Sequence, residues 1–249
     1  MTLAEIIEDH RSRGKRLTIA NRDEPEPIVR MLKRMVAAPD VEIVEADPDE
    51  AVPGNIVILE GEDEPKLAIS TIEEVGNSVL MVNSDLYVTG TRPIEAVDTP
   101  DVLCGLAGTT FTVAKKQKML MIEISRHVES LAHRHGSGRL HSGFQSIARI
   151  DDERGTRRVY QDLADVGVDV HAYGGDERVP PLPDGITVHT DDGDELARSW
   201  FVVSTECPDD RKAALLATEV GPNEWTGFWT FDPLMVDRVD RYLRTEYWD

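Results

Sequence analysis

The chain has 249 residues, in which 47 Asp and Glu outnumber 27 Lys and Arg to give a formal net charge of -20 at pH 7. This negative field disfavours binding to nucleic-acid phosphates. No apolar run approaches the ~18 residues of a membrane span, so no membrane insertion is expected. Cys104 and Cys207 form no C-x-x-C pair, so neither a disulfide framework nor a cysteine zinc site is indicated.

The kind of basic residue indicates the environment of the protein. Lys supplies only 7 of the basic residues. An acidic, Lys-poor surface is typical of proteins kept in concentrated salt, where self-repulsion is screened. The N-terminal segment "MTLAEIIEDH" is an acidic amphipathic helix start and not a signal peptide. We therefore expect a halophilic, cytoplasmic protein.

The first part of the chain alternates predicted helices with predicted strands. Apolar spacing predicts helices over 3–14 and 25–36, and strands over 16–20 and 41–46. "NIVILE" and "KLAIS" flank the turn "GEDEP" and predict a β-hairpin, and "TIEE" (71–74) matches a capping box. Pro and Gly interrupt residues 84–110. We expect one domain over 1–249, with lobes 1–108 and 109–249 as the alternative division.

The second part is predicted to begin with a long helix pair and to end in a meander. Helices are predicted over 111–135 and 143–166, the second with a break near Gly155. Strands are predicted at 168–173, 185–190, 199–204, 212–220 and 224–231, followed by a helix with Asp232 as N-cap and Pro233 at its first position. The fold class is therefore α/β, with helices flanking a mixed sheet that has an antiparallel C-terminal meander.

The stretch "RHGSGRLHSGFQ" (134–145) concentrates glycine with polar side chains between the two predicted helices. Its histidines lack metal-ligand spacing, and neither the P-loop spacing nor G-x-S-x-G is present. Gly136 suits a helix C-cap, and Ser142 to Gln145 match a capping box for the next helix. We therefore interpret the stretch as a corner between helices, which leaves Arg139 and His141 unexplained.

Aromatic residues concentrate in "EWTGFWTF" (224–231). In a strand, Trp225, Trp229 and Phe231 share one face, and Phe228 lies on the other. The strand is either part of the core or a stacking wall for a flat ligand. The lysine-rich "AKKQK" (114–118) is either a solvated helix end or a docking patch for an acidic partner.

Several separated stretches together resemble one family. "SRHVESLAHRHGSGRLHSGFQS" resembles the signature of the DICT sensory domains, and "VDVHAYG", "SWFVVS", "KAALLATEV" and "GFWTFDPLMVDRV" resemble the later blocks of that family in order. The resemblance is strongest over about 109–246. It implies an intracellular sensory or regulatory module, often fused to cyclases, phosphodiesterases or kinases. It carries over no catalytic residue, cofactor or settled ligand, and the sequence shows no fused output domain.

The resulting hypothesis is a stand-alone, non-enzymatic regulator that senses a small ligand or the state of a partner, and that signals through a separate protein. A homodimer is left open. Two alternatives are an enzyme that uses His141 as acid or base and a pure interaction scaffold. No catalytic residue and no metal are expected. The candidate ligand-binding or signalling residues are Arg139, His141, Phe144, Gln145, Trp225, Phe228 and Trp229.

Overall fold

The computed structural model describes residues 1–10, 12, 14–23, 29–30, 33, 40–46, 53–61, 68–81, 90–114, 118–152, 154–175 and 179–248. These residues form two mixed sheets flanked by helices, which confirms the predicted α/β class. Most of the predicted helix over 25–36 and of the "GEDEP" turn lies outside the described residues.

The smaller sheet is built by the N-terminal part of the chain. This part of the chain contains α1 (Leu3–Asp9), β1 (Lys15–Ala20), β2 (Val41–Glu45), β3 (Ile56–Gly61), β4 (Ala68–Thr71) and α2 (Ile72–Met81). The strand order is β2-β1-β3-β4, with β1 and β2 parallel. The antiparallel pairing of β3 with β4 confirms the predicted hairpin. Thr71 Oγ1 accepts from the Glu74 amide at 3.0 Å and the Glu74 carboxylate accepts from the Thr71 amide at 2.7 Å, which confirms the capping box.

The larger sheet is built by the rest of the chain. Its elements are α3 (Asp101–Gly105), β5 (Thr110–Ala114), α4 (Met119–His135), β6 (Arg139–Gly143), α5 (Arg149–Asp152), α6 (Arg154–Asp165), β7 (Asp169–Gly175), β8 (Ile186–Asp191), α7 (Asp194–Ala197), β9 (Ser199–Thr205), β10 (Ala213–Gly221), β11 (Glu224–Thr230) and α8 (Pro233–Tyr247). The strand order is β5-β11-β10-β9-β6-β7-β8. Strands β6, β7 and β8 are parallel, and β9 to β11 form the predicted antiparallel meander. Asp232 caps α8 as predicted, since its side chain accepts from the Leu234 amide at 2.9 Å.

The structure corrects three predicted boundaries. Residues 110–114 form β5 and not the start of the long helix, because Phe111 and Val113 are buried beside β11 whereas Thr112 is exposed. Helix α1 ends at Asp9, before the predicted end at residue 14. The predicted second helix does not start at residue 143. It comprises α5 and α6, which begin at Arg149 and Arg154.

The interpretation of residues 134–145 as a helix corner is half right. Gly136 ends α4 in the left-handed conformation with φ 67°, as predicted. The residues that follow, Arg139–Gly143, form β6 in the interior of the large sheet. Ser142 is therefore not an N-cap, and the predicted capping box with Gln145 is wrong. Polar side chains can occupy this central strand because they form hydrogen bonds with other buried groups.

Each face of the large sheet is covered by apolar residues. Helices α4 and α6 and the small sheet cover one face, and this core includes Trp225 and Trp229. Helices α1 and α8 cover the other face, and that core includes Phe228. This alternation along β11 confirms the predicted division of its aromatic residues between two faces.

Candidate functional site

A cavity of about 270 Å³ opens at the carboxyl end of β6. Strand β6 lies between β7, a parallel neighbour, and β9, an antiparallel neighbour that comes later in the chain. The carboxyl ends of parallel strands at such a change of strand order are where ligands bind in open α/β sheets. The cavity is lined by Lys118, Ile122, Ser125, Glu129, Ser142, Gly143, Phe144, Gln145, Arg149, Thr156, Tyr160, Trp200, Phe201 and Val202.

The floor of the cavity is a buried polar network centred on Tyr160. The Tyr160 hydroxyl lies 2.7 Å from Glu129 Oε1 and 2.8 Å from Ser142 Oγ. Because an ionised carboxylate only accepts, Tyr160 donates to Glu129 and accepts from Ser142. Arg126 donates to the other Glu129 oxygen and, at 3.4 Å, to Thr156 Oγ1. The network joins α4, α6 and β6 beneath the cavity.

Charge in this floor is costly because the groups are fully desolvated. Burial raises the pKa of Glu129, and the positive charge of Arg126 and the hydrogen bond from Tyr160 oppose that rise. Burial also raises the pKa of Tyr160, so its hydroxyl remains protonated and can donate. Glu129 is 2% exposed and Arg126 is 1% exposed. Removing one partner of a buried ion pair strongly destabilises the fold, because the other charge is left buried without a partner.

The mouth of the cavity is cationic. Lys118 and Arg149 both line it, and neither forms an ion pair with a carboxylate in the described part of the chain. Burial, and then the positive charge of Arg149, lower the pKa of the Lys118 ammonium. Lys118 donates to Asn223 Oδ1 at 3.2 Å and lies 5.1 Å above the Trp225 ring. Two cations therefore face one opening in a strongly acidic protein.

Aromatic and aliphatic side chains form the walls. The Phe144 ring meets the Tyr160 ring edge-on at 5.1 Å between centroids, and the Trp200 indole donates to Ser125 Oγ at 3.1 Å. A Cβ at position 143 would overlap the Phe201 ring, so the wall can close only over glycine. Gln145 has φ 64° and places its backbone carbonyl to accept from the Gly175 amide at 3.0 Å. A non-glycine residue in the left-handed conformation is uncommon, and the contacts around Gln145 hold the loop after β6 in this conformation.

Two of the predicted site residues, Phe144 and Gln145, line this cavity. Arg139 and His141 lie instead on the opposite face of the sheet. Arg139 pairs there with Asp169 at 3.1 Å and with Glu206 at 2.6 Å. Residues Trp225, Phe228 and Trp229 are at most 2% exposed and lie in the core, not on the cavity wall. Trp225 stands behind the wall, edge-on to Trp200 at 6.1 Å.

His141 belongs to a histidine cluster, which we define as His141, His171 and His189. His141 Nε2 lies 2.9 Å from Asp240 Oδ1, and its Nδ1 lies 2.7 Å from the Tyr173 hydroxyl. Because the Asp240 carboxylate accepts, His141 donates through Nε2 and accepts from Tyr173 at Nδ1. The Tyr173 hydroxyl in turn accepts from the Trp248 indole at 2.8 Å. His141 thus fastens β6 to α8 and the segment that follows it.

The environment of His141 favours a structural role. The side chain is fully buried, and burial lowers its pKa although Asp240 opposes the change. Both of its ring nitrogens are occupied within the protein. Its register partner on β9 is Val203, which packs on the α8 face, whereas Trp229 packs on the α4 face. His141 and Trp229 therefore do not share a pocket.

Sequence reasoning missed most residues of the cavity. Lys118, Ile122, Ser125 and Glu129 are spaced i, i+4, i+7 and i+11 along α4, so they lie on one helical face. A serine and a glutamate on a buried helix face are unusual, and this pattern was the feature of the sequence that could have indicated a polar site. Arg149, Tyr160 and Trp200 come from other elements, and only the fold brings them to the same cavity.

A second cavity of about 420 Å³ is lined by polar residues, among them Ser70, Glu74 and Arg92, and contains no predicted site residue. Within the described ranges, no group of three His, Cys, Asp or Glu side chains could hold a metal ion. No helix among the described residues is long and apolar enough to cross a membrane.

The part of the chain that contains the cavity is similar to a known family. Residues 106–220 match the profile of the DICT family, described as a sensory domain in diguanylate cyclases and two-component systems. The matched segment covers just under half of the chain and contains every residue that lines the cavity. This match supports the family resemblance drawn from the sequence. The part of the chain that holds the cavity is therefore similar to the DICT sensory domains.

Other comparisons add little. No curated protein matches the chain. Among solved structures, the polyphosphate kinase from Porphyromonas gingivalis matches over 97% of this chain and 47% of its own, with 10% sequence identity and a TM-score of 0.37. This chain spans about half the length of that kinase chain. A similarity at that level supports no argument about fold or activity.

Proposed function

We propose that this protein is a non-enzymatic sensory domain of a signalling pathway, and that the cavity at the carboxyl end of β6 is its ligand site. The observation that carries the proposal is the placement of this cavity within the segment that matches the sensory family. Its walls are apolar, and a few polar groups converge on its floor, which is the usual character of a small-molecule site.

The cavity offers hydrogen-bonding groups but no activated nucleophile. Ser142 has no histidine beside it on the cavity face, because its hydroxyl partner is Tyr160. His141, the acid or base of the alternative enzyme hypothesis, faces α8 and is closed off by Tyr173 and Asp240. These contacts favour binding over catalysis.

The response to a ligand is proposed to pass through β6 to a separate signalling partner. Adjacent residues of this strand contact opposite faces of the sheet, since Ser142 forms a hydrogen bond in the cavity floor and His141 forms one with Asp240 on α8. A shift of β6 on ligand binding would therefore reach α8 directly. We also propose that residues 1–249 form one domain, because one apolar core contains residues from β1 through β11.

Metabolite capture tests the ligand site. Wild-type protein and an Ile122→Trp variant, whose indole would fill the cavity, are equilibrated with a cell extract, and retained small molecules are quantified by mass spectrometry. Leu234→Trp is the matched control, because Leu234 is a 79% exposed aliphatic residue on α8. We expect at least one metabolite to be enriched by wild type and by the control but not by Ile122→Trp. Equal retention by all three proteins would reject the cavity as the site.

A further inference from the structure

The cavity changes in chemical character from floor to mouth, and this order suggests what it binds. We propose that its ligand is a small aromatic carboxylate, with the carboxylate at Lys118 and Arg149 and the ring between Phe144 and Trp200. This inference rests on the proposed function, because it names the ligand class of the same cavity.

The mouth provides the anion site. Lys118 and Arg149 repel each other there, and the carboxylate of Glu219 offsets this repulsion only in part. An anion between them would relieve this repulsion. In a chain with formal charge -20, a pair of cations at a cavity opening is the reverse of the general surface pattern.

The N-terminus of α4 reinforces the anion site. This helix of 17 residues has no acidic residue in its first turn, and its N-cap, Lys118, provides no side-chain cap. The positive end of the helix dipole therefore adds to the two side-chain charges at the mouth. A lysine at this position opposes the dipole and costs local stability, which a bound anion would offset.

The walls select a flat, apolar body. Phe144 and Trp200 contribute rings, and Ile122 and Val202 contribute aliphatic surface. The volume of about 270 Å³ lies just below the usual range of ligand sites, ~300–1,000 Å³, so the ligand is small. Aromatic rings pack well against such walls in offset or edge-on geometry.

The floor can recognise a polar group at the far end of the ligand. Thr156 Oγ1 accepts from Arg126 and keeps its own proton for donation. Ser142 donates to Tyr160 and keeps lone pairs for acceptance. A phenolic hydroxyl, which donates and accepts, satisfies both residues. Since Lys118 and Glu129 lie 11 residues apart on α4, mouth and floor are separated by about 16 Å between Cα atoms, and the Lys118 side chain spans part of that distance.

Three probes of the same shape test the ligand class. They are 4-hydroxyphenylacetate, 2-(4-hydroxyphenyl)ethanol and 2-(4-hydroxyphenyl)ethylamine, which differ in carrying an anionic, a neutral or a cationic end. Isothermal titration calorimetry in potassium chloride buffer gives the affinities. We expect the acid to bind at least tenfold more tightly than the alcohol, and the amine to bind most weakly.

Charge variants then locate the anionic end. Lys118→Gln and Arg149→Gln should each weaken the acid at least fivefold and leave the alcohol unchanged. Arg211→Gln is the matched control, since Arg211 is exposed, lies beside Asp210 and does not line the cavity. The control should bind the acid as wild type does.

The possible outcomes separate the ligand class from the proposed function. Equal affinities for the three probes, a preference for the amine, or no binding of any probe would overturn the aromatic carboxylate. Loss of acid binding in Arg211→Gln equal to that in Lys118→Gln would overturn the anion site at the mouth. The proposed function is decided independently by the metabolite capture with Ile122→Trp. Capture of other metabolites by wild type and Leu234→Trp, but not by Ile122→Trp, would leave the function standing and reject only this ligand class.

Discussion

Replacing Tyr160 with Phe removes one hydroxyl from the centre of the cavity floor and leaves the ring in place. The hydroxyl contacts Glu129 Oε1 at 2.7 Å and Ser142 Oγ at 2.8 Å, and the Tyr160 side chain is fully buried. No aliphatic surface is lost, so the cost is that of the hydrogen bonds alone. Glu129 and Ser142 are each left with one partner fewer, and both are at most 2% exposed.

The magnitude follows from the type of each hydrogen bond. A neutral bond contributes about 0.5–1.5 kcal/mol and a bond to a charged group about 1.5–3 kcal/mol, so the variant should lose roughly 2–4 kcal/mol of stability. For a protein of this size each kcal/mol corresponds to roughly 2–4 °C in Tm, so Tm should fall by roughly 4–16 °C. Tyr242→Phe is the matched control, because the Tyr242 hydroxyl donates to the half-buried Glu195 at 2.5 Å. It should lose about 1.5 kcal/mol, the low end for a charged acceptor, because water can replace the lost hydrogen bond at the half-buried Glu195.

The loss should also depend on pH. Burial raises the pKa of Glu129 above its ordinary value of 4.5, and the Tyr160 hydrogen bond opposes this rise. Removing that bond raises the folded-state pKa further and leaves the unfolded-state value unchanged. A carboxyl group with a raised folded-state pKa destabilises the fold increasingly as pH rises above its unfolded-state pKa. The loss caused by Tyr160→Phe should therefore be larger at about pH 8 than at about pH 5.

Urea unfolding followed by circular dichroism at the two pH values provides the test, with the salt concentration held constant. A loss below about 0.5 kcal/mol would show that the hydroxyl is not satisfied as described. An equal loss at both pH values would refute the account of Glu129. A loss in Tyr242→Phe as large as that in Tyr160→Phe would remove the distinction between buried and half-buried acceptors.

Three further predictions address other parts of the molecule. Trp229→Ala should lower the free energy of unfolding by about 3–5 kcal/mol, because it leaves a cavity in the core. Calorimetry should find this loss additive with the loss caused by His141→Ala, because the two residues lie on opposite faces of the sheet. Burial, and then the positive charge of Arg134, lower the pKa of His127 to about 4. The protein should therefore lose stability as the pH falls from 6.5 towards 4, and acid titrations of His127→Asn should show a smaller loss. Thermal melts should show Tm rising from low to molar potassium chloride, because screening reduces repulsion among the excess of carboxylates; an unchanged Tm would reject the halophilic hypothesis.

The meander and the α8 boundary could be predicted because their signals are local. Each strand from β7 to β11 has a run of apolar or β-branched residues between turn residues, and Asp232-Pro233 is a strong helix start. The hairpin of β3 and β4 and the capping box at Thr71 were predicted for the same reason. In these segments, local propensity and tertiary structure agree.

Strand β6 could not be predicted, because its sequence resembles a loop. "RLHSG" holds one aliphatic residue, Leu140, and its polar residues are stabilised by partners 18 to 99 residues away in the chain. Tertiary hydrogen bonds outweigh the low strand propensity of this segment. The same dependence explains why the Ser142 capping box was wrong.

The candidate site was only partly predictable for a related reason. Phe144 and Gln145 stood out as neighbours in a glycine-rich stretch, and they line the cavity. Tyr160 and Trp200 lie on α6 and β9 and carry no local signal of a site. Trp225 and Trp229 stood out by composition, but they serve the core. Sequence proximity thus identified the loop after β6 and not the residues that fold against it.

A crystal structure grown with the most tightly bound captured metabolite, or with 4-hydroxyphenylacetate, tests the central proposal most directly. The account predicts ligand density in the cavity after β6, with its anionic end near Lys118 and Arg149 and its ring beside Phe144. Density in the polar cavity at Ser70 and Glu74, or against the histidine cluster, would contradict the assignment of the ligand site.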